Sequence, residues 1–233
     1  MEEIMKEYST TFYECLDAWP DDIKEDIYKL YAYLRVCDEM VEGEKTLHDF
    51  KQWREVIEDF YKISDKYQFN GQWLADFHLS MYQDMIKKEH SVASMLDYCK
   101  GSAESVGMMM SKILGCHPRC EIHARSLGRA YQIINFIRDY DEDVANGYHY
   151  ITDNFSAYLE IFYQDIDNGM DGLDYIPKEL QQPIVMATQK YMEVARESQW
   201  CVTVELRELK ANVGMEESSY GFVRTVKVEW NPT

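Results

Sequence analysis

The chain has 233 residues, and 46% of them are hydrophobic, enough for a sizeable buried core. Its 42 Asp and Glu outnumber 24 Lys and Arg, giving a formal net charge of -18. Such a surface repels nucleic acid and anionic lipid, both of which are bound through positive charge.

The N-terminal Met-Glu-Glu-Ile-Met-Lys-Glu is acidic and lacks the apolar stretch of a signal peptide. No apolar run reaches the roughly 20 residues of a membrane helix. The six cysteines are scattered through apolar helical patterns, as reduced thiols of a cytoplasmic protein are. A cytoplasmic location is expected, in which transient membrane contact for product release remains open.

Ile23, Ile27, Leu30, Leu34, Cys37 and Val41 recur at gaps of four, three, four, three and four. That draws one stripe on an amphipathic helix, opened by Pro20-Asp21-Asp22 and closed by Gly43. Trp53, Val56, Ile57 and Phe60 mark a second helix, and 73–86 a third. A fourth runs over 92–114 and carries Gly101, Ser102, Ala103, Ser105 and Gly107, small enough for a second helix to pack close. A fifth spans 122–145 and ends at Asn146-Gly147, and a sixth follows Pro177 to about 209. The tail beyond Gly221 alternates in polarity and reads as a short strand or a loose end. The class is all-α, with 1–233 taken as one domain.

Beside the apolar stripe of the first helix lies a second one, Tyr31, Arg35, Asp38 and Glu42. Residues three and four apart share a helix face, so two carboxylates and a guanidinium project together. The fifth helix repeats the pattern with Gly128, Gln132, Asn135, Asp139 and Asp143, and Arg138 adjoins the first acid. One acidic pair alone means little in so acidic a chain, where charge runs usually face water. Both pairs, however, adjoin an apolar stripe, and like charges at this spacing destabilise a helix unless something relieves them. Mg²⁺ would do so: it takes oxygen ligands and is held by one or two carboxylates plus substrate phosphates. Two or three Mg²⁺ ions clamped between the helices could hold a diphosphate and draw charge from it as a carbon–oxygen bond breaks. Arg35 and Arg138 could add hydrogen bonds to phosphate oxygens. Tyr98 and Met108, Met109 and Met110 are candidate walls of a cavity sheltering a carbocation, although such residues at helical spacing are more often core.

These residues resemble the squalene and phytoene synthases. The second acidic motif of that family is similar to Leu127-Gly128-Arg129-Ala130-Tyr131-Gln132-Ile133-Ile134-Asn135-Phe136-Ile137-Arg138-Asp139-Tyr140-Asp141-Glu142-Asp143. Its first motif is similar to Tyr31-Ala32-Tyr33-Leu34-Arg35-Val36-Cys37-Asp38-Glu39-Met40-Val41-Glu42, with Glu42 where Asp is usual. Its entry segment resembles Ser9-Thr10-Thr11-Phe12, with Tyr8 in place of a His or Asn, and a further helix resembles Tyr98-Cys99 with Ala103, Val106 and Gly107. The likeness runs from about residue 8 to residue 152; the basic residue of the family's Gly-Arg-x-Tyr segment is replaced around Tyr148-His149-Tyr150, and the last third of the chain matches poorly.

The resemblance implies an isoprenoid synthase helical bundle with a central cavity. It implies head-to-head joining of two prenyl diphosphates, farnesyl or geranylgeranyl, in a phytoene synthase-like or dehydrosqualene synthase-like reaction. It assigns Mg²⁺ to Asp38, Glu42, Asp139 and Asp143. Substrate contact falls to Arg35, Tyr98, Gln132, Asn135 and Arg138, with Tyr98, Arg35 and Arg138 catalytic. Squalene formation itself also needs a nicotinamide reductant, for which no Gly-rich fingerprint is present. A terpene cyclase, a prenyltransferase to a non-prenyl acceptor and an inactive helical partner subunit stay open as alternatives. Asp84 lies where the family often has a further acid, but as one helix acid among many it is expected to face solvent. Cys116, Cys120 and His123, with His117 between them, lack the second half of a zinc site, so a structural zinc is not expected there.

Overall fold

The computed structural model describes residues 2, 5–6, 13–42, 50–86, 88–152 and 154–212, without the side chains of Asp17, Glu42, 50–52 and those beyond Ser198. Gly43, the Ser9–Phe12 segment, Tyr8 and the alternating tail beyond Gly221 lie outside the described residues. Among the described residues the structure is helical, with an isolated bridge between Glu89 and His149 and no strand.

Helix α1 (Asp21–Glu42) follows Pro20, with Asp21 and Asp22 in its first turn at the positive end of the dipole. Its stripe buries Ile27 and Leu30 completely. Helix α2 (Phe50–Tyr67) packs on α1, where Phe60 stacks on Tyr33 with ring centroids 3.6 Å apart. Helix α3 (Gly71–Ile86) lies against α1 and against the middle of the next rod.

That rod begins with α4 (Val92–Cys99), opened by a capping box in which Ser91 and Ser94 satisfy each other's backbone N–H groups. It does not continue as one α-helix, as the apolar period suggests. Residues Lys100–Glu104 form a π turn, in which the N–H of Ser105 reaches back to the carbonyl of Lys100, and α5 (Ser105–Ile113) follows. Gly115, at φ 63°, ends the rod. The small residues serve close approach, as expected. A Cβ on Gly101 would stand 2.1 Å from the carbonyl oxygen of Asp76 on α3.

Helix α6 (Glu121–Arg138) is the central member and packs on the π turn, α5, α8 and α9. The expected fifth helix breaks at Asp139, whose φ of -95° and ψ of 9° leave the helical region, and α7 (Tyr140–Ala145) carries the remaining acids. Helix α8 (Phe155–Met170), absent from the sequence reading, lies along α6 and buries Tyr158, Leu159, Phe162 and Ile166. Helix α9 (Gln181–Asn212) closes the described part after a short 3-10 turn at Lys178–Leu180. No helix of the described residues is long and apolar enough to cross a membrane.

Candidate active site

One face of α6 builds the site. His123, Ala124, Leu127, Gly128, Tyr131, Gln132, Asn135, Arg138 and Asp139 all line a cavity of about 880 Å³. Sixteen residues separate the first from the last, so the cavity follows α6 for about 24 Å. Its opposite walls come from Leu30, Tyr31 and Leu34 of α1, from Ser102 to Met110 across the π turn and α5, and from Ile184 and Tyr191 of α9. Trp19 stands in the wall as well, fixed by its indole N–H on the carbonyl of Leu180 at 2.8 Å. The lining is polar at the end where α6 stops, with Gln132, Asn135, Arg138, Asp139, Asp141 and Glu142, and largely apolar along the rest.

At that polar end Arg138 holds Asp139 through a two-pronged pair, Nε to Oδ1 and Nη2 to Oδ2, each 2.6 Å. The pair raises the guanidinium's pKa despite its partial burial. Asp139 lies at the C-terminus of α6, where the helix dipole is negative, so a cation beside it is needed. The side-chain oxygen of Asn135 is buried and accepts no hydrogen bond, while Asn135 bonds the hydroxyl of Tyr191. A buried acceptor without a partner is costly and rare, and Asn135 is one of the residues lining the cavity. Tyr131 stacks on Tyr191 at 4.3 Å and bonds Thr188 at 2.7 Å, which fixes the wall opposite.

On α1, Arg35 binds Asp38 at 2.5 Å and approaches the buried Glu39 at 3.4 Å. Arg35, Asp38, Asp143 and Tyr98 are not among the residues lining the cavity. They border a second polar cluster centred on Asp84. Contrary to expectation, Asp84 does not face solvent: it is 4% exposed and accepts the hydroxyls of Tyr98 at 2.5 Å and Tyr150 at 2.9 Å. Burial pushes its carboxyl up to about 6, the two phenols oppose that, and Asp38 raises it further. Tyr98 is buried, and desolvation beside Asp84 holds its phenol well above the usual range. Phe136 stacks on Tyr150 at 4.5 Å and joins this cluster to α6.

The structure thus brings Gln132, Asn135, Arg138 and Asp139 into one cavity and gathers Asp38, Asp143 and Tyr98 around Asp84. The side chain of Glu42 lies outside the described residues. Met110 lines the cavity, whereas Met108 and Met109 are core. Cys116, Cys120 and His123 belong to the cavity wall and His117 stacks on Tyr175 outside it. Asp141 and Glu142 were not singled out by spacing, although they stand in the same acidic stretch. Asp84 continues the buried stripe Trp73, Phe77, Met81 of α3 at gaps of four, four and three, a signal of burial that its charge outweighed in the sequence reading.

Among the described residues no three His, Cys, Asp or Glu side chains converge as a ready metal cage. The donors offered at the polar end are nevertheless all oxygen: the Asp139 carboxylate, its neighbours on α7 and the unpartnered Asn135 oxygen. That set suits Mg²⁺, which keeps several waters and completes its shell with substrate phosphates rather than a protein cage.

A family model described as squalene/phytoene synthase matches residues 5–196. The chain belongs to the squalene/phytoene synthase family. Relatives of this kind are prenyl diphosphate-dependent transferases, so the chain is an enzyme of that class. The family match extends past residue 152, through α8 and into α9, farther than the motifs alone suggested. A 4,4'-diapophytoene synthase of Staphylococcus haemolyticus is 25% identical over 84% of this chain and 85% of its own length. A chloroplastic phytoene synthase of an Oncidium hybrid cultivar is 26% identical over 72% of this chain; that match spans about half, 47%, of the relative. Among solved structures, a dehydrosqualene synthase in complex with ligand superposes with a TM-score of 0.73 at 18% identity, covering 91% of this chain and 95% of its own. The squalene synthase HpnC from Alicyclobacillus acidocaldarius gives 0.73 at 14% identity over 86% of this chain and 92% of its own. At those identities the likeness establishes the fold, that of an isoprenoid synthase.

Proposed function

We propose that the chain joins two prenyl diphosphates head-to-head with release of diphosphate, giving a phytoene-like or dehydrosqualene-like hydrocarbon. The observation that carries this reading is the single cavity along α6, apolar over most of its length and acidic where the helix stops. A prenyl chain fits the apolar length, and its diphosphate falls at Arg138 and Asp139. Farnesyl and geranylgeranyl diphosphate are the substrates to try first, with the enzyme acting in the cytoplasm as one domain over 1–233.

Asp38, Glu42, Asp139 and Asp143 would hold Mg²⁺, which when bound supplies Lewis-acid neutralisation of the departing diphosphate. Arg138, which forks onto Asp139, would donate to phosphate oxygens if that acid held the metal instead. Arg35 is paired with Asp38 through a single contact, Nη1 to Oδ2, and would act likewise on the α1 side. Gln132 and Asn135 would orient the diphosphate end through their amide N–H groups. Tyr98 would meet the substrate where the Phe136 and Tyr150 rings adjoin α6, its hydroxyl oriented by Asp84. The apolar walls keep water from the allylic cation, and the ring faces of Tyr131 and Tyr191 are placed to stabilise positive charge.

The test is diphosphate release with Mg²⁺ and farnesyl or geranylgeranyl diphosphate, with the organic product identified by mass. A product of two prenyl units, lost in the Asp139→Ala/Asp143→Ala double variant, is expected. A product of one prenyl unit would instead make the chain a cyclase or a transferase to another acceptor. No release from either substrate would end the enzyme reading for this chain acting alone.

A further inference from the structure

Lys88 stands in neither acidic motif, yet the fold sets its ammonium beside Asp84 and over the ring of Tyr148. The turn after α3 is locked to the segment leaving α7. The N–H of His149 donates to the carbonyl of Lys88 at 2.7 Å, and that of His90 donates to the carbonyl of His149 at 2.9 Å. The exposed Lys88 side chain does not extend into water. Its Nζ donates to the carbonyl of Asp84 at 3.0 Å and lies 3.5 Å over the ring of Tyr148. Tyr148 in turn is bonded through its own N–H to the carbonyl of Asp143 at 2.8 Å. Asp84 feels Lys88 and Asp38 together, and Tyr150 feels Asp84 and Asp143 together. Lys88 therefore sits within electrostatic reach of the neighbours of acids from both motifs, on a segment belonging to neither.

An ammonium has three N–H donors, and the Asp84 carbonyl takes one. The ring face of Tyr148 holds the charge in place without consuming a second donor strongly. A strongly hydrated point charge steadied in this manner suits a phosphate oxygen.

We propose that Lys88 is a substrate-binding residue whose ammonium contacts the diphosphate held between the two acidic motifs. The proposal rests on the reading of the site given above, and it adds a cation that no motif contains. Lys88 supplies positive charge in addition to that of Arg138, from a segment outside both motifs.

Calorimetric binding of inorganic diphosphate in the presence of Mg²⁺ tests this on the full chain. Lys88→Gln should weaken that binding by about tenfold or more, the loss of one charge-assisted hydrogen bond. Lys88→Arg should retain most of it, and the thermal midpoint without ligand should stay unchanged in both. In a second measurement on the unaltered protein, Mg²⁺ with diphosphate should slow acetylation of Lys88, followed by peptide mass. Equal affinity in Lys88→Gln, or unchanged acetylation of Lys88 at saturating diphosphate, would overturn the proposal while leaving the proposed function standing. Absence of any Mg²⁺-dependent diphosphate binding by the unaltered chain would overturn both.

Discussion

Arg129 on α6 holds Asp165 of α8 with a fork, Nε to Oδ2 at 2.6 Å and Nη2 to Oδ1 at 2.5 Å, and reaches Glu104 of the π turn at 2.6 Å. Both acids are buried, Glu104 at 5% and Asp165 at 3% exposure. Removing the guanidinium leaves the buried Asp165 without its cation and Glu104 with only the more distant Arg125, at 3.6 Å. Arg129→Met is expected to cost about 3 kcal/mol or more of folding stability, read as a fall in the urea midpoint. A change of less than about 1 kcal/mol would mean that water already reaches this triad.

Asp84 gives a pH dependence of unusual sign. Its folded pKa, about 6, lies above the 3.8 of an unperturbed Asp. The folded state therefore binds this proton more tightly than the unfolded one, and Asp84 destabilises the fold progressively as pH rises from about 4 to 6. The full penalty, reached above pH 6, is about 3 kcal/mol. Asp84→Asn cannot ionise, so its stability relative to the natural chain should climb over that interval and then level off. Urea titrations of both proteins between pH 4 and 7 would show it; a constant difference would place the Asp84 carboxyl at an ordinary pKa.

Gly128 lies where α6 crosses the π turn, and a Cβ there would meet the carbonyl oxygen of Ala103 at 2.4 Å. In an exposed helix Gly→Ala stabilises by about 1 kcal/mol. At Gly128 the sign should reverse, because the obstacle is backbone and cannot swing aside. Gly128→Ala is expected to lower the thermal midpoint by several degrees and to reduce turnover, since Ala103 and Gly128 both line the cavity.

Asn135 separates stability from function. Its buried oxygen has no partner, so replacing the side chain removes an unsatisfied acceptor together with the bond to Tyr191. Asn135→Leu should change stability by no more than about 1 kcal/mol, while prenyl-diphosphate consumption falls by about a hundredfold. Equal loss in both measurements would show the residue to be structural.

How far the site could be read in the sequence depended on whether its geometry is local. The faces of α1 and α6 follow from three- and four-residue spacing, and Arg35, Asp38, Gln132, Asn135 and Arg138 were legible because one helix presents each set. The burial of Asp84 was detectable on the stripe Trp73, Phe77, Met81, whereas its partners Tyr98 and Tyr150, 14 and 66 residues away, were not. The π turn Lys100–Glu104 and the stretch around Asp139 hold no large aliphatic residue that would mark a change of phase, so periodicity passed over both. Helix α8 was detectable: Phe155, Leu159, Phe162 and Ile166 have gaps of four, three and four. The absence of a chemical motif there, rather than of a pattern, kept it from notice.

The π turn at Lys100–Glu104 also sets the phase of the rod that contains it. An α-helix advances about 100° per residue, so the additional residue accommodated in the wide turn rotates everything after it relative to everything before. Tyr98 bonds Asp84, while Val106, Gly107 and Met110, two to three turns later, line the cavity. One length of chain thus serves both the Asp84 cluster and the cavity. Shortening the turn by one residue would restore a regular helix and bring the two sets of side chains out of alignment with their partners at the same time.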